Sequence, residues 1–396
     1  MRGMRRPKPL PAHPLPAGRA ALIAATALFT MACVFRADAA APVAKAATPV
    51  AKANGPAAGW DAAAAARYLD TRLDWWRKWP KAQRDHDTAC ISCHTALPHV
   101  LGRPSLRASL HETTRSAAEL AMFDDVTKRV YLWHEVDPFY TDQKNGMPKS
   151  GESRGVESVL NALFLVSRDN ERGLFGTDTR QAFAQMWALQ IQTGDMKGGF
   201  PWLNFHLEPW ESPSATYWGG TLAALAVARA PASYGAEPAV AAQVDLLRTW
   251  LRGGLTGQSL YTRTLLLIAD SELHGVADAA QRDRIIADLV AAQGADGGWS
   301  LPALAPWQRV DTSPLPTASD GYATAIAAFA LRESASPAAS AALAKARAWL
   351  IAHQDKATGA IPAVSINKDR KPDTDAFAFM SDHATGIAAL VLRPAS

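Results

Sequence analysis

Two kinds of helix alternate along this chain, and the alternation limits what it can fold into. Ser319–Leu331 (SDGYATAIAAFAL) is echoed by Ser381–Leu392 (SDHATGIAALVL), about 61 residues later. Ala215–Leu225 (ATYWGGTLAAL) is a third relative and Val156–Leu165 (VESVLNALFL) a weaker fourth. These stretches are apolar almost all round, which predicts helices buried on every side. A different helix precedes each. In 280–293 the apolar residues Ile285, Ile286, Leu289 and Val290 gather on one face, away from Arg282, Asp283, Arg284 and Asp288. In 337–353, Leu343, Ala346 and Leu350 share a face, with Ser336 as N-cap and Pro337 in the first turn. One-sided patterning predicts half-exposed helices.

The reading is therefore outer helix, loop, inner helix, six times over. Outer helices are expected near 61–79, 114–134, 179–192, 239–252, 280–293 and 338–354. Inner helices are expected to start near 96, 156, 216, 260, 320 and 382. Such hairpins suit an all-α, closed (α/α)6 toroid, because closure buries both flanks of every inner helix and leaves no open ends. An open superhelix is the alternative.

The loops after the outer helices carry Gln293–Trp299 (QGADGGW), Gln192–Phe200 (QTGDMKGGF) and the degraded Gln354–Gly359 (QDKATG). This pattern resembles the Gln-Trp repeat of the terpenoid cyclase and protein prenyltransferase toroids, of which squalene–hopene cyclase is one type. Gly294 is expected to take a left-handed cap, Gln293 to bond backbone groups at a helix end, and Trp299 to cover it. The resemblance implies the architecture over most of 59–396. It does not carry the activity. The Asp-rich acid motif of the cyclases has as its nearest text Asp373-Thr374-Asp375-Ala376, which lacks the closing Asp pair, and Asp124-Asp125 reads as a solvated or capping pair. No zinc ligand set of the prenyltransferases maps onto this chain. A shared fold does not transfer chemistry.

One motif does carry chemistry. Cys90-Ile91-Ser92-Cys93-His94 matches the attachment pattern of haem c. Two thioethers would form at Cys90 and Cys93, and His94 would stand beneath the iron. Three other readings stay open: a Cys90–Cys93 disulfide, a zinc site completed by His86 or His99, and coincidence of spacing. For the sixth ligand Met147 leads, because it stands in an Asn-Gly-Met-Pro loop like that of many small cytochromes. His134, His383 and His206 are the alternatives, with an open site the remaining one. His111 and His274 fall in connections expected at the opposite rim, and His99 follows His94 too closely to cross a porphyrin.

Residues 200–218 concentrate Phe200, Trp202, Phe205, Trp210, Tyr217 and Trp218, with Glu208 and Glu211 among them. They read either as loop packing or as the aromatic mouth of a site for an apolar or cyclic ligand, with Glu208 or Glu211 as acid or base.

The start of the chain reads as a leader. Arg2, Arg5, Arg6, Lys8 and Arg19 precede an uncharged apolar run from Ala20 to Phe35, and Ala37-Asp38-Ala39 offers small residues for cleavage near Ala39. An uncleaved anchor is the alternative. Cys33 lacks a lipobox, and Arg5-Arg6 lacks the context of a twin-arginine signal. Residues 40–58, rich in Ala, Pro and Lys, read as a tether. The whole chain carries 41 basic and 37 acidic residues, net +4; removing six basic and one acidic residue in 1–39 leaves 35 and 36, or −1. The basic character belongs mostly to the leader, so no nucleic-acid partner is expected. No Gly-rich phosphate loop suggests a nucleotide cofactor.

The expectation is a periplasmic or otherwise exported haem c protein, with no membrane span in the mature chain. It would pass electrons to a partner protein or a small apolar substrate. It would be an oxidoreductase if the iron has an open site and a carrier if it does not. The alternatives are a cyclase-like isomerase or apolar-ligand binder without redox chemistry, and a protein scaffold.

Overall fold

Both patterns of apolarity appear as helices in the computed structural model, which describes residues 59–393. The leader read at 1–39 and the tether read at 40–58 lie outside the described residues. Among the described residues the chain is mostly helical, with one two-stranded hairpin, β1 (Gln83–Arg84) and β2 (Thr88–Ala89). The one-sided helices are α1 (Ala62–Lys78), α3 (Ala117–Tyr131), α6 (Thr177–Ala188), α9 (Pro238–Gly253), α11 (Ala279–Ala291) and α14 (Ser340–Ala352). The all-round apolar helices are α2 (Ala96–Ser109), α5 (Lys149–Asn170), α7 (Thr216–Arg229), α10 (Leu260–Leu273), α13 (Gly321–Glu333) and α15 (Phe379–Leu392). Single-turn helices α4 (Asp142–Asn145), α8 (Ala232–Gly235) and α12 (Leu301–Leu304) lie in connections. Among the described residues no helix is long and apolar enough to cross a membrane.

Burial follows the patterning. Every residue of α15 from Met380 to Leu392 is buried, as is α13 from Gly321 to Leu331. In α11 only Ile285, Ile286 and Leu289 are buried; Val290, expected on that face, is 37% exposed. The buried helices pack side by side in chain order, α2 on α5, α5 on α7, α7 on α10, α10 on α13, α13 on α15, and α15 again on α2. Gly386 and Gly102 make the last contact close. A Cβ on Gly386 would meet the Pro98 carbonyl oxygen at 2.3 Å, and one on Gly102 would meet the Gly386 carbonyl oxygen at 2.3 Å.

The loops after α6, α11 and α14 repeat one device. Gln190 donates to the carbonyls of Gly198 (3.0 Å) and of Gln243 in α9 (2.9 Å). Gln293 donates to Gly297 (2.9 Å) and to Ala342 in α14 (2.8 Å). Gln354 donates to Gly359 (3.0 Å) and to Asp61 (2.9 Å), the N-cap of α1, whose amide donates back to Gln354 Oε1 (2.8 Å). Each loop is thus tied to the next one-sided helix, and the last is tied to the first.

Some local expectations are corrected. Gln190 performs the role given to Gln192, because the turn of α6 ends two residues earlier. The left-handed glycine is Gly297 (φ 92°) rather than Gly294, since it is Gly297 that presses on Lys345 of α14. Trp299 is fully buried, its indole donating to the Leu289 carbonyl (2.8 Å). Ser336 caps nothing with its side chain; Pro337–Ala339 form a 3-10 turn before α14. The α5 helix begins at Lys149 rather than near 156, its polar first turns held by a Lys149–Glu152 ion pair (2.7 Å) and by Asp142 accepting from the Ser150 amide (2.8 Å).

Candidate functional site

The Cys90–His94 loop joins α1 to α2. Its entry is shaped by the β1–β2 hairpin, whose turn residues His86 and Asp87 have φ 55° and 54°. The Cys90 amide donates to the Ala82 carbonyl (2.8 Å), and the Cys90 carbonyl accepts from the Trp76 indole (2.6 Å). Arg129, fully buried on α3, clamps the hairpin to the core. It donates to Thr88 Oγ1 (2.9 Å), to the Asp137 carbonyl (2.6 Å) and to Glu157 of α5 (2.6 Å). The exit is capped by Ser92, whose Oγ accepts from the amides of Thr95 and Ala96 (3.0 Å each).

Cys93 and His94 line a cavity of about 320 Å³, within the size range of small-molecule and cofactor sites. Its walls include Trp76, Trp79, Tyr140, Trp210 and Phe379, and its polar lining includes Lys81, Arg84, Arg370, Glu208 and Glu211. These come from the end of α1, the start of α15 and the loops after α1, α3, α6 and α14, brought to one place. His94 stacks on Phe379 (3.7 Å between ring centres) and meets Trp76 edge-on (4.7 Å). Cys90 stands just behind, beside a narrow void of about 10 Å³ shared with Leu73, Met122 and Val126.

Burial sets the charge states. It pushes the Cys90 thiol up to about 11 and Cys93 well above its usual range, with the Glu211 charge adding to Cys93. Both thiols are free and protonated at neutral pH. Burial pushes His94 down to about 3, helped by Arg72, so its imidazole is neutral, the form that ligates a metal. Glu211 is raised to about 7 by burial alone, which makes it available as acid or base near neutrality. Glu208 accepts from Ser212 Oγ (2.8 Å).

No protein-family model and no curated protein matches this chain.

The structure brings Cys93, His94, Glu208, Glu211 and Trp210 together and leaves several expected residues outside. Met147 is 85% exposed in the loop before α5 and does not line the cavity. His134 and His206 are exposed and also outside it. His383 is fully buried but separated from the cavity by Trp210, on which it stacks at 4.9 Å. The only thioether on the wall is Met380, which the sequence reading missed. Of the 200–218 aromatics only Trp210 faces the cavity. Phe200, Trp202 and Trp218 are core, Tyr217 stacks on Trp250 (5.0 Å), and Phe205 meets Tyr140 edge-on (5.1 Å). The other walls come from Trp76 and Trp79, legible only as the Trp75-Trp76…Trp79 cluster before the cysteines, and from Phe379.

The two thiols are not bonded to each other. No group of three or more His, Cys, Asp and Glu among the described residues is arranged to hold a metal. His99 bonds Asp70 (2.8 Å) inside the α1–α2 contact, and His86 pairs with Asp85 (3.1 Å) at the surface. Asp125, read as solvated, is buried and paired with Arg77 (3.0 Å). Asp375 is exposed and accepts from the Trp79 indole (3.1 Å) at the cavity lip. A larger open groove of about 550 Å³, lined by Arg263, Gln281 and Arg284 among others, holds no cysteine, histidine or aromatic residue.

Proposed function

We propose that this is an exported haem c protein built on an (α/α)6 toroid, with redox chemistry at the cavity beside His94. The toroid reading is supported by a packing order that returns from α15 to α2 and by Gln354 bonded to the cap of α1. It makes the likeness to the Gln-Trp toroids one of architecture. The observation that carries the functional reading is that Cys93 and His94 open onto an aromatic-walled cavity with a cationic lip.

The donor set fits the group. A flat apolar macrocycle suits the walls of Trp76, Trp79, Trp210 and Phe379. Its two carboxylate arms suit Lys81, Arg84 and Arg370. Cys93 and neutral His94, both on the cavity wall, would hold it; Cys90, beside a separate void of about 10 Å³, would have to turn toward the cavity to form the second thioether. Bound there, haem supplies one-electron chemistry. The chain's own contribution is to exclude water with indole walls and to hold a proton on the Glu211 carboxyl. No histidine other than His94 lines the cavity, so a haem held there would find Met380 as a second protein ligand or would be left open to substrate. An open site makes the protein an oxidoreductase and Met380 makes it an electron carrier. The partner is then a redox protein or a small apolar substrate meeting the same face.

The test is expression for export together with the cytochrome c maturation machinery, followed by a pyridine haemochrome spectrum and a haem-stained denaturing gel. One covalent haem per chain is expected, lost in Cys90→Ala/Cys93→Ala, on a protein whose mature N-terminus lies near residue 40. A colourless, folded chain would overturn the reading and leave the same cavity as an apolar-ligand site without redox chemistry.

A further inference from the structure

His94 does not stand alone behind the cavity. Its Nδ1 lies 3.0 Å from Oγ1 of Thr95, and Thr95 Oγ1 lies 2.8 Å from Oδ2 of Asp382. Asp382 is fully buried on α15, and its carboxylate already accepts from Arg72 Nε (2.8 Å to Oδ1) and from the Tyr68 hydroxyl (2.7 Å). Burial raises the Asp382 carboxyl above its usual range while Arg72, Tyr68 and Thr95 oppose the rise; ionised against the Arg72 guanidinium, it is an acceptor only. The one Thr95 proton is therefore directed at Asp382, and Oγ1 can only accept from the imidazole. That places the His94 proton on Nδ1 and the lone pair on Nε2. Thr95 occupies the N-cap position of α2 yet makes no capping bond, and Ser92 caps in its place. The hydroxyl is thus left for the chain to Asp382.

We propose that Thr95 and Asp382 are positioning residues for His94. They fix the Nδ1–H tautomer and, through a buried negative charge, strengthen Nε2 as a donor to iron. Outer partners of a ligating histidine act in this way, setting its tautomer and raising its basicity, and hydrogen bonding behind a haem ligand tunes potential. A stronger donor favours ferric over ferrous iron, so the pair lowers the potential. The tuning of potential rests on the haem reading; the tautomer does not.

Thr95→Val keeps the shape and removes the relay, and Thr95→Ser restores the hydroxyl. Asp382→Asn is the less useful variant, because it strands Arg72 and endangers the fold. The first readout is the ring-nitrogen NMR of His94 in the full chain produced without the maturation machinery, hence without haem. The parent should show Nδ1–H; Thr95→Val should lose that preference and Thr95→Ser should recover it. The second is redox titration of the haem-loaded chain, with haem content fixed by the haemochrome. The potential should rise in Thr95→Val and return in Thr95→Ser. An Nε2–H tautomer in the parent, or a potential indifferent to Thr95→Val at equal haem content, would overturn the proposal. A chain that never takes up haem but shows the expected tautomer would sink the haem reading and keep the relay.

Discussion

Replacing Glu211 by glutamine should make the protein more stable, and only above a particular pH. The Glu211 carboxyl is raised by burial from 4.5 to about 7. Between those values the folded state binds a proton that the unfolded state releases, so stability falls as pH rises through that window. At pH 4 both states are protonated and the group costs nothing. Above pH 7 both are ionised, and the folded state holds a charge in a place that disfavours it. A difference of 2.5 in pKa corresponds to roughly 3 kcal/mol. Glu211→Gln keeps the shape and removes the charge. Urea denaturation of both chains at pH 4, 5.5, 7 and 8.5 gives the difference directly, since all other titrations cancel. The gap should be near zero at pH 4 and approach about 3 kcal/mol at pH 8.5. A gap that is flat across the series would refute the reasoning, because it would mean that the carboxyl is solvated and that the cavity is wetter than its indole walls imply.

Three further outcomes are expected. Arg129→Met leaves Glu157 buried with only Arg154 beside it (3.1 Å) and frees the hairpin before Cys90, so it should cost about 3–5 kcal/mol in urea denaturation, largely recovered in the double variant with Glu157→Gln. Gly359→Ala should lower the melting temperature far more than Gly173→Ala. Both glycines have positive φ, costing about 1–2 kcal/mol for alanine, but only at Gly359 would the Cβ strike backbone, at 2.4 Å from the Ala64 carbonyl oxygen. In the haem-loaded protein Met147→Ala should leave the absorption spectrum unchanged, whereas Met380→Ala should shift it if the thioether is the sixth ligand; a shift with Met147→Ala would mean the loop before α5 folds over the cavity.

The helices were legible because two burial regimes leave two marks on a sequence. A helix such as α13 (GYATAIAAFALRE) has no polar face to hide, and α11 has one, so their order could be read from apolarity alone. The cavity was legible only in part. Cys93 and His94 announce themselves by spacing, and Glu211 and Trp210 by sitting in an aromatic loop. Arg370 and Phe379 could not be found that way, because each is ordinary in its own segment and acquires its role when distant segments converge. Met147 shows the reverse relation between context and place. Its local context imitates a ligand loop, but the Pro148 turn leads straight into α5 and leaves the side chain in solvent. Asp382 stands in a repeated stretch, and nothing in its neighbourhood points to His94, 288 positions away.

The contact between α2 and α15 also bears on time. By sequence the cysteine loop belongs to the first hairpin, but its surroundings include Ser365, Phe379 and Asp382, which are delivered long after it. A chain that emerges amino end first delivers α15 long after Cys93 and His94, and contacts so distant along the chain form late. Once α15 seats, Cys93 and His94 face the cavity, with Phe379 and Met380 as part of its wall. Whatever reacts with Cys93 before then meets the loop without that wall, and a chain truncated before Phe379 would never complete it.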